Sequence, residues 1–212
     1  MIIQVSERGM VPRLRTTAIA GLAVSAILVT SGVAYAHDLG QRKVAGESSS
    51  ASSMSWAYYS GELTDFTTTP DVFKGAKATA MMITVGDSSY FRVRLHGLDK
   101  SAIGNSYGAH LHENPCVPGD GSAAGPHYNI TFNVTTSLVV SDKTEVWLDS
   151  KVNSAGKAQT SASVPFVPKS GERSIVFHAQ PTVHQHTEGG PAVGTAGTRL
   201  ACLPLEIKSV TR

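Results

Sequence analysis

The sequence predicts an all-β fold, an antiparallel sandwich or barrel of about eight strands. Three observations carry that expectation. Short runs of β-branched and aromatic residues recur along the chain. Gly, Pro, Ser and Asp punctuate them at close intervals. No stretch of ~12 residues carries an apolar repeat at helical spacing.

The elements follow in order. Residues 56–59, Trp-Ala-Tyr-Tyr, are aromatic and β-prone. Residues 78–85 form a second run, and Gly86-Asp87 supplies a two-residue hairpin turn into residues 89–96. In that third run Phe91, Val93 and Leu95 alternate with Tyr90, Arg92, Arg94 and His96, so one face is apolar and the other polar. His96 falls on the polar face and reads as a surface histidine. Further runs lie at 137–140, 144–148, 162–166, 174–178 and 200–207.

Upstream, the text has a different purpose. Arg13 and Arg15 precede an apolar stretch over residues 18–33, which ends in Ala34-Tyr35-Ala36. That is the layout of a secretory signal with a small-x-small cleavage site. Residues 1–36 are read as the signal, with His37 the new N-terminus and Met10 an alternative start. A retained anchor is the other reading of the same run. The Ser-rich residues 37–54 read as a linker, and residues 55–212 as one domain. Arg8, Arg13 and Arg15 against Glu7 account for the +2 formal charge of the whole chain, leaving the remainder near neutral. No basic stripe is present, which argues against nucleic acid as a partner. Two cysteines, Cys116 and Cys202, in an exported chain predict one disulfide; two buried thiols are the alternative.

The chemistry gathers at residues 107–129. His110 and His112 lie two apart in a strand-like setting, so both side chains share a face. His127 follows Gly125-Pro126, and His178 closes the run 174–178. Four neutral imidazoles suit copper(II) in a tetragonal nitrogen field. A tetrahedral zinc site is open on ligand type alone. With eight histidines in the chain, coincidence is the competing explanation.

At four places these residues resemble the copper/zinc superoxide dismutase family: Gly108-Ala-His110-Leu-His112-Glu113, Ala124-Gly-Pro-His127-Tyr-Asn129, Val176-Phe-His178, and Gly194-Thr-Ala-Gly-Thr-Arg199-Leu-Ala-Cys202. The resemblance covers roughly residues 56–208 and implies a Greek-key sandwich, an architecture shared by that family. It implies copper on His110, His112, His127 and His178, half-cystine roles for Cys116 and Cys202, an anion-guiding role for Arg199, and proton carriage by His127. It implies superoxide as substrate and a possible homodimer, while the signal implies a secreted or envelope location with no stable membrane insertion after its cleavage.

The pattern also departs from that family. Residues 128–172 contain no histidine, so zinc is not expected. The family's linking aspartate, four residues past the last copper ligand, is Thr182 here. His184, His186 and Glu188 follow it in a loop read as solvated, with a secondary metal or proton-relay site as the other reading. Glu145 and Glu188 are candidates to hold the outer nitrogen of a ligating histidine. The function expected is copper-dependent dismutation of superoxide. The alternative is a secreted copper buffer or chaperone on the same fold.

Overall fold

Alternation decides the sheets. β3 (Lys77–Val85) and β4 (Ser88–His96) bury every second residue and are joined by Gly86-Asp87, with Val85 opposite Ser88. Gly86 has φ 58°, the left-handed backbone a two-residue hairpin needs and glycine adopts without strain. β1 (Met54–Glu62) pairs with β3, and β8 (Ala158–Val164) with β4, giving a four-stranded antiparallel sheet in the order β1-β3-β4-β8. These coordinates are a computed structural model, which describes residues 53–66, 71–132, 134 and 137–209. The expected signal, and all of the expected linker but its last two residues, lie outside them.

The second sheet runs β2-β10-β9-β6, built from β2 (Thr64–Asp65), β10 (Arg199–Ile207), β9 (Gly171–His178) and β6 (Ala109–His112). β5 (Ser106–Tyr107) and β7 (Ser150–Lys151) form a short pair. The described residues belong to one compact unit, Ser48–Arg212. No helix among them is long and apolar enough to cross a membrane.

The core fills the space between the two sheets. Phe91, Val93 and Leu95 face Leu111, Ile175, Phe177 and Leu203, all buried. Phe73 seals one side, its ring 5.5 Å from Phe177 and 5.3 Å from Tyr107. This is the expected β-sandwich. Two expected strands do not form. Residues 137–140 carry no ladder, and residues 144–148 make only isolated bridges, Asn129 to Glu145 and His110 to Trp147. Their alternation is used differently: the segment lies along the edge of β6 and sends Glu145 and Trp147 toward the histidines.

Candidate metal centre

Strand parity brings three of the four histidines together. In the β6–β9 ladder His110 opposes Val176 and His112 opposes Ser174. Opposed residues share a face, so His110, His112 and His178 all project from the side of the sheet away from the core. That face is roofed by the segments after β6 and β9, and the three side chains are buried. His127 joins from the roof through an antiparallel bridge to His112. Gly108 permits the close approach of the second roof segment. A Cβ there would lie 2.7 Å from the Ala196 side chain and 2.9 Å from the Gln180 carbonyl. Ligand nitrogens of the four histidines all lie within 4.8 Å of one another.

Proton counting fixes how each ring is turned. The His112 Nδ1–H donates to the Gly125 carbonyl at 3.0 Å, and the His178 Nδ1–H to the Gly197 carbonyl at 3.1 Å. His127 Nδ1–H donates to Glu145 Oε2 at 2.9 Å. His110 Nε2 bonds the Thr182 hydroxyl at 2.8 Å, while its Nδ1 is buried with no hydrogen-bond partner. A neutral imidazole has one N–H and one lone pair. Each outer nitrogen is therefore spent on a neighbour, and the remaining lone pairs converge. His112 Nε2 and His178 Nε2 approach to 3.4 Å as two acceptors. Convergent lone pairs with an orphaned buried nitrogen among them fit a metal cation.

Burial keeps three of these rings, His110, His112 and His178, neutral. It pulls the pKa of His112 down to about 2 and that of His178 to about 4, with the neighbouring His127 adding to both shifts. His110 is lowered further, again by burial and then by His127. Neutral imidazole is the ligating form. Burial would raise the Glu145 carboxyl, but hydrogen bonds from His127, Trp147 and Asn129 outweigh it and hold the carboxyl below its ordinary value. Trp147 Nε1–H donates at 2.9 Å and the Asn129 amide at 3.0 Å. Of the two glutamates considered from sequence, Glu145 holds the outer nitrogen; Glu188 is exposed. Asn129 is itself buried, and its amide also donates to the Val139 carbonyl at 2.7 Å.

Arg199 reaches this face through an irregularity. Along β10, Ala201 opposes Phe177 and Cys202 opposes Val176, so regular pairing would set Leu200 opposite His178. The register shifts between Arg199 and Ala201, and Arg199 takes that place instead. Such a bulge re-aims a side chain. The guanidinium donates to the Gly121 carbonyl at 2.6 Å and borders an open cavity of about 570 Å³ with Phe66, Ser122, Gly125 and Thr198. Its roof segment is tied down by the Cys116–Cys202 disulfide, packed with Ala124 and Val176. The paired cysteines are as expected.

The other described histidines separate from this group. His96 is exposed on the first sheet, its Nδ1 3.3 Å from the Lys77 carbonyl. His186 is exposed. His184 is partly anchored: its Nε2 lies 2.9 Å from Asp149 Oδ2 and its ring 5.1 Å from Trp147. Asp149 and Thr182 escaped the sequence reading as partners of the site because both lie in irregular segments with no motif.

Fold and site together define an antiparallel β-sandwich with a four-imidazole constellation able to hold a metal, on one sheet's outer face. Residues 77–203, more than half of the chain, match the family model of copper/zinc superoxide dismutase (SODC), and the chain belongs to that family. A search of curated proteins returned no match.

Proposed function

We propose that this protein is a copper-dependent superoxide dismutase that works outside the cytoplasm without a zinc partner. One observation carries the proposal most: four imidazoles turn their lone pairs to a common point beside a guanidinium. Copper held there by His110, His112, His127 and His178 supplies reversible one-electron chemistry, oxidising one superoxide to oxygen and, with two protons, reducing a second to hydrogen peroxide. Arg199 draws the anion to the open face and orients it. Its charge persists across the working pH range, and the attraction is screened by salt. The Nε2 atom of His127 would hold a proton only while it is not ligating and then return it, while Glu145 retains the proton on Nδ1.

Glu145 is also the support for copper alone. In zinc-bearing members the outer nitrogen of this histidine serves the second metal; here it donates to a buried carboxylate. Among the described residues, no second group of three or more potential ligands gathers nearby. The disulfide agrees with an oxidising compartment.

The test is metal analysis of the purified protein beside a superoxide assay. One copper and no zinc per chain, with turnover above that of free copper, is the expected result. Copper without turnover would replace this reading with a copper buffer or chaperone. Arg199→Ala should lower the rate and flatten its salt dependence while copper stays bound; release of copper would show a structural role.

A further inference from the structure

We propose that Thr182 and Asp149 act as a directional proton lock on His110, with His184 closing its outer end. They are positioning residues, and the proposal rests on the copper reading above. His110 Nε2, the Thr182 hydroxyl, the Asp149 carboxylate and His184 Nε2 form one continuous hydrogen-bonded arm from the buried site to the surface. Thr182 is buried, and the side chain of His184 is largely exposed.

The direction of the arm follows from counting protons. The Thr182 hydroxyl donates its only proton to Asp149 Oδ1. The hydroxyl can then only accept from His110. That forces the proton onto His110 Nε2 and leaves the lone pair on Nδ1. Nδ1 is the buried atom without a partner, at the centre of the cluster.

The other three rings need no such lock. Gly125, Gly197 and Glu145 offer pure acceptors, each of which dictates the tautomer directly. A hydroxyl is ambivalent: it can donate or accept. His110 alone is held by one, so its orientation depends on a second residue. Asp149 resolves the ambiguity, and His184 holds the other carboxylate oxygen at 2.9 Å. The arm also spans two segments distant in sequence, fastening the strip after β9 to the strip before β7.

Long-range proton–nitrogen NMR on the metal-free protein reads the tautomer without copper or turnover. In the wild type, His110 should show the proton on Nε2 only. Thr182→Val keeps the side-chain shape and removes the hydroxyl; it should give a mixture of tautomers. Thr182→Ser should restore the single form. Asp149→Leu should produce the same mixture as Thr182→Val, and the double variant no more than either, because both act through one arm. After copper loading, affinity in chelator competition should fall about 10- to 100-fold in Thr182→Val, the range for partners of ligating histidines, and recover in Thr182→Ser. A wild-type His110 protonated on Nδ1, or a single unchanged tautomer in Thr182→Val, overturns the lock. If the tautomers respond as stated but the wild type binds no copper, the functional reading fails and the lock stands.

Discussion

The two sheets obey the same pleat but use it differently. In the first sheet, β1, β3 and β4 each run nine residues in unbroken register, and one face of the sheet stays in solvent. In the second, the site end is buried on both faces: every residue of β6 is covered, as are Ser174 to His178 of β9. Its inward face holds core residues, and its outward face carries imidazoles where the first sheet carries Arg92, Arg94 and His96. Regularity supplies a rigid base. Departures from it, a bulge at Arg199 and roof segments held by bridges, add Arg199 and His127 to the three histidines that the regular strands present. Stability and metal binding should therefore separate by sheet.

The largest effect should come from the second sheet. His112→Ala removes a lone pair at the centre of the cluster, and copper affinity should fall by more than the 10- to 100-fold typical of outer partners. The metal-free variant should unfold no more easily than wild type, because a buried polar ring costs free energy when it lacks its cation. Equilibrium dialysis and denaturant titration check both halves. Retained tight copper with lost stability would reverse the assignment. Phe91→Ala in the first sheet should do the opposite. It should lower unfolding free energy by about 3–5 kcal/mol, while copper bound per folded molecule stays unchanged.

The disulfide lies where the comparison is sharpest, since Cys202 belongs to a regular strand and Cys116 to the roof. Cys116→Ser should destabilise by about 2–5 kcal/mol. It should also loosen the segment that carries Gly121, the carbonyl that receives Arg199. Superoxide turnover per bound copper should then decline more than copper occupancy. Equal losses of the two would mean that the bond serves stability alone.

How much of this was legible in the sequence follows the same division. β3 and β4 were readable from their short runs and turn, and in β4 alternation has one meaning, core against solvent; β8, expected at 162–166, runs instead over Ala158–Val164. His110 and His112 were readable from their spacing, His127 and His178 from their place after Gly125-Pro126 and at the end of the run 174–178, and the family resemblance joined all four as copper ligands. The place of Arg199 opposite His178 was not, since a one-residue register shift leaves no mark on the pattern. Glu145 was named only as one of two possibilities. Its segment, 144–148, alternates like a strand, and nothing local says that it bridges rather than joins a sheet. Thr182 read as the loss of a linking aspartate; only the fold shows Asp149 behind it.

Acid should probe the two regions through their histidines, with a smaller effect. Burial holds His178 at about 4 and His112 at about 2, against an ordinary value of 6.5. In the unfolded chain both rings take up protons as pH falls below about 6.5. The unfolded state then binds more protons than the folded one, so unfolding free energy drops with pH. The His178 contribution is lost between about pH 6.5 and 4, and that of His112 continues down to about 2. In the metal-free protein, the urea midpoint should therefore fall from pH 7 to pH 4. His178→Gln should flatten part of that slope, because Gln has no proton to gain. Equal slopes for wild type and His178→Gln would mean that the buried ring is not what acid attacks, and that the two sheets share one acid response.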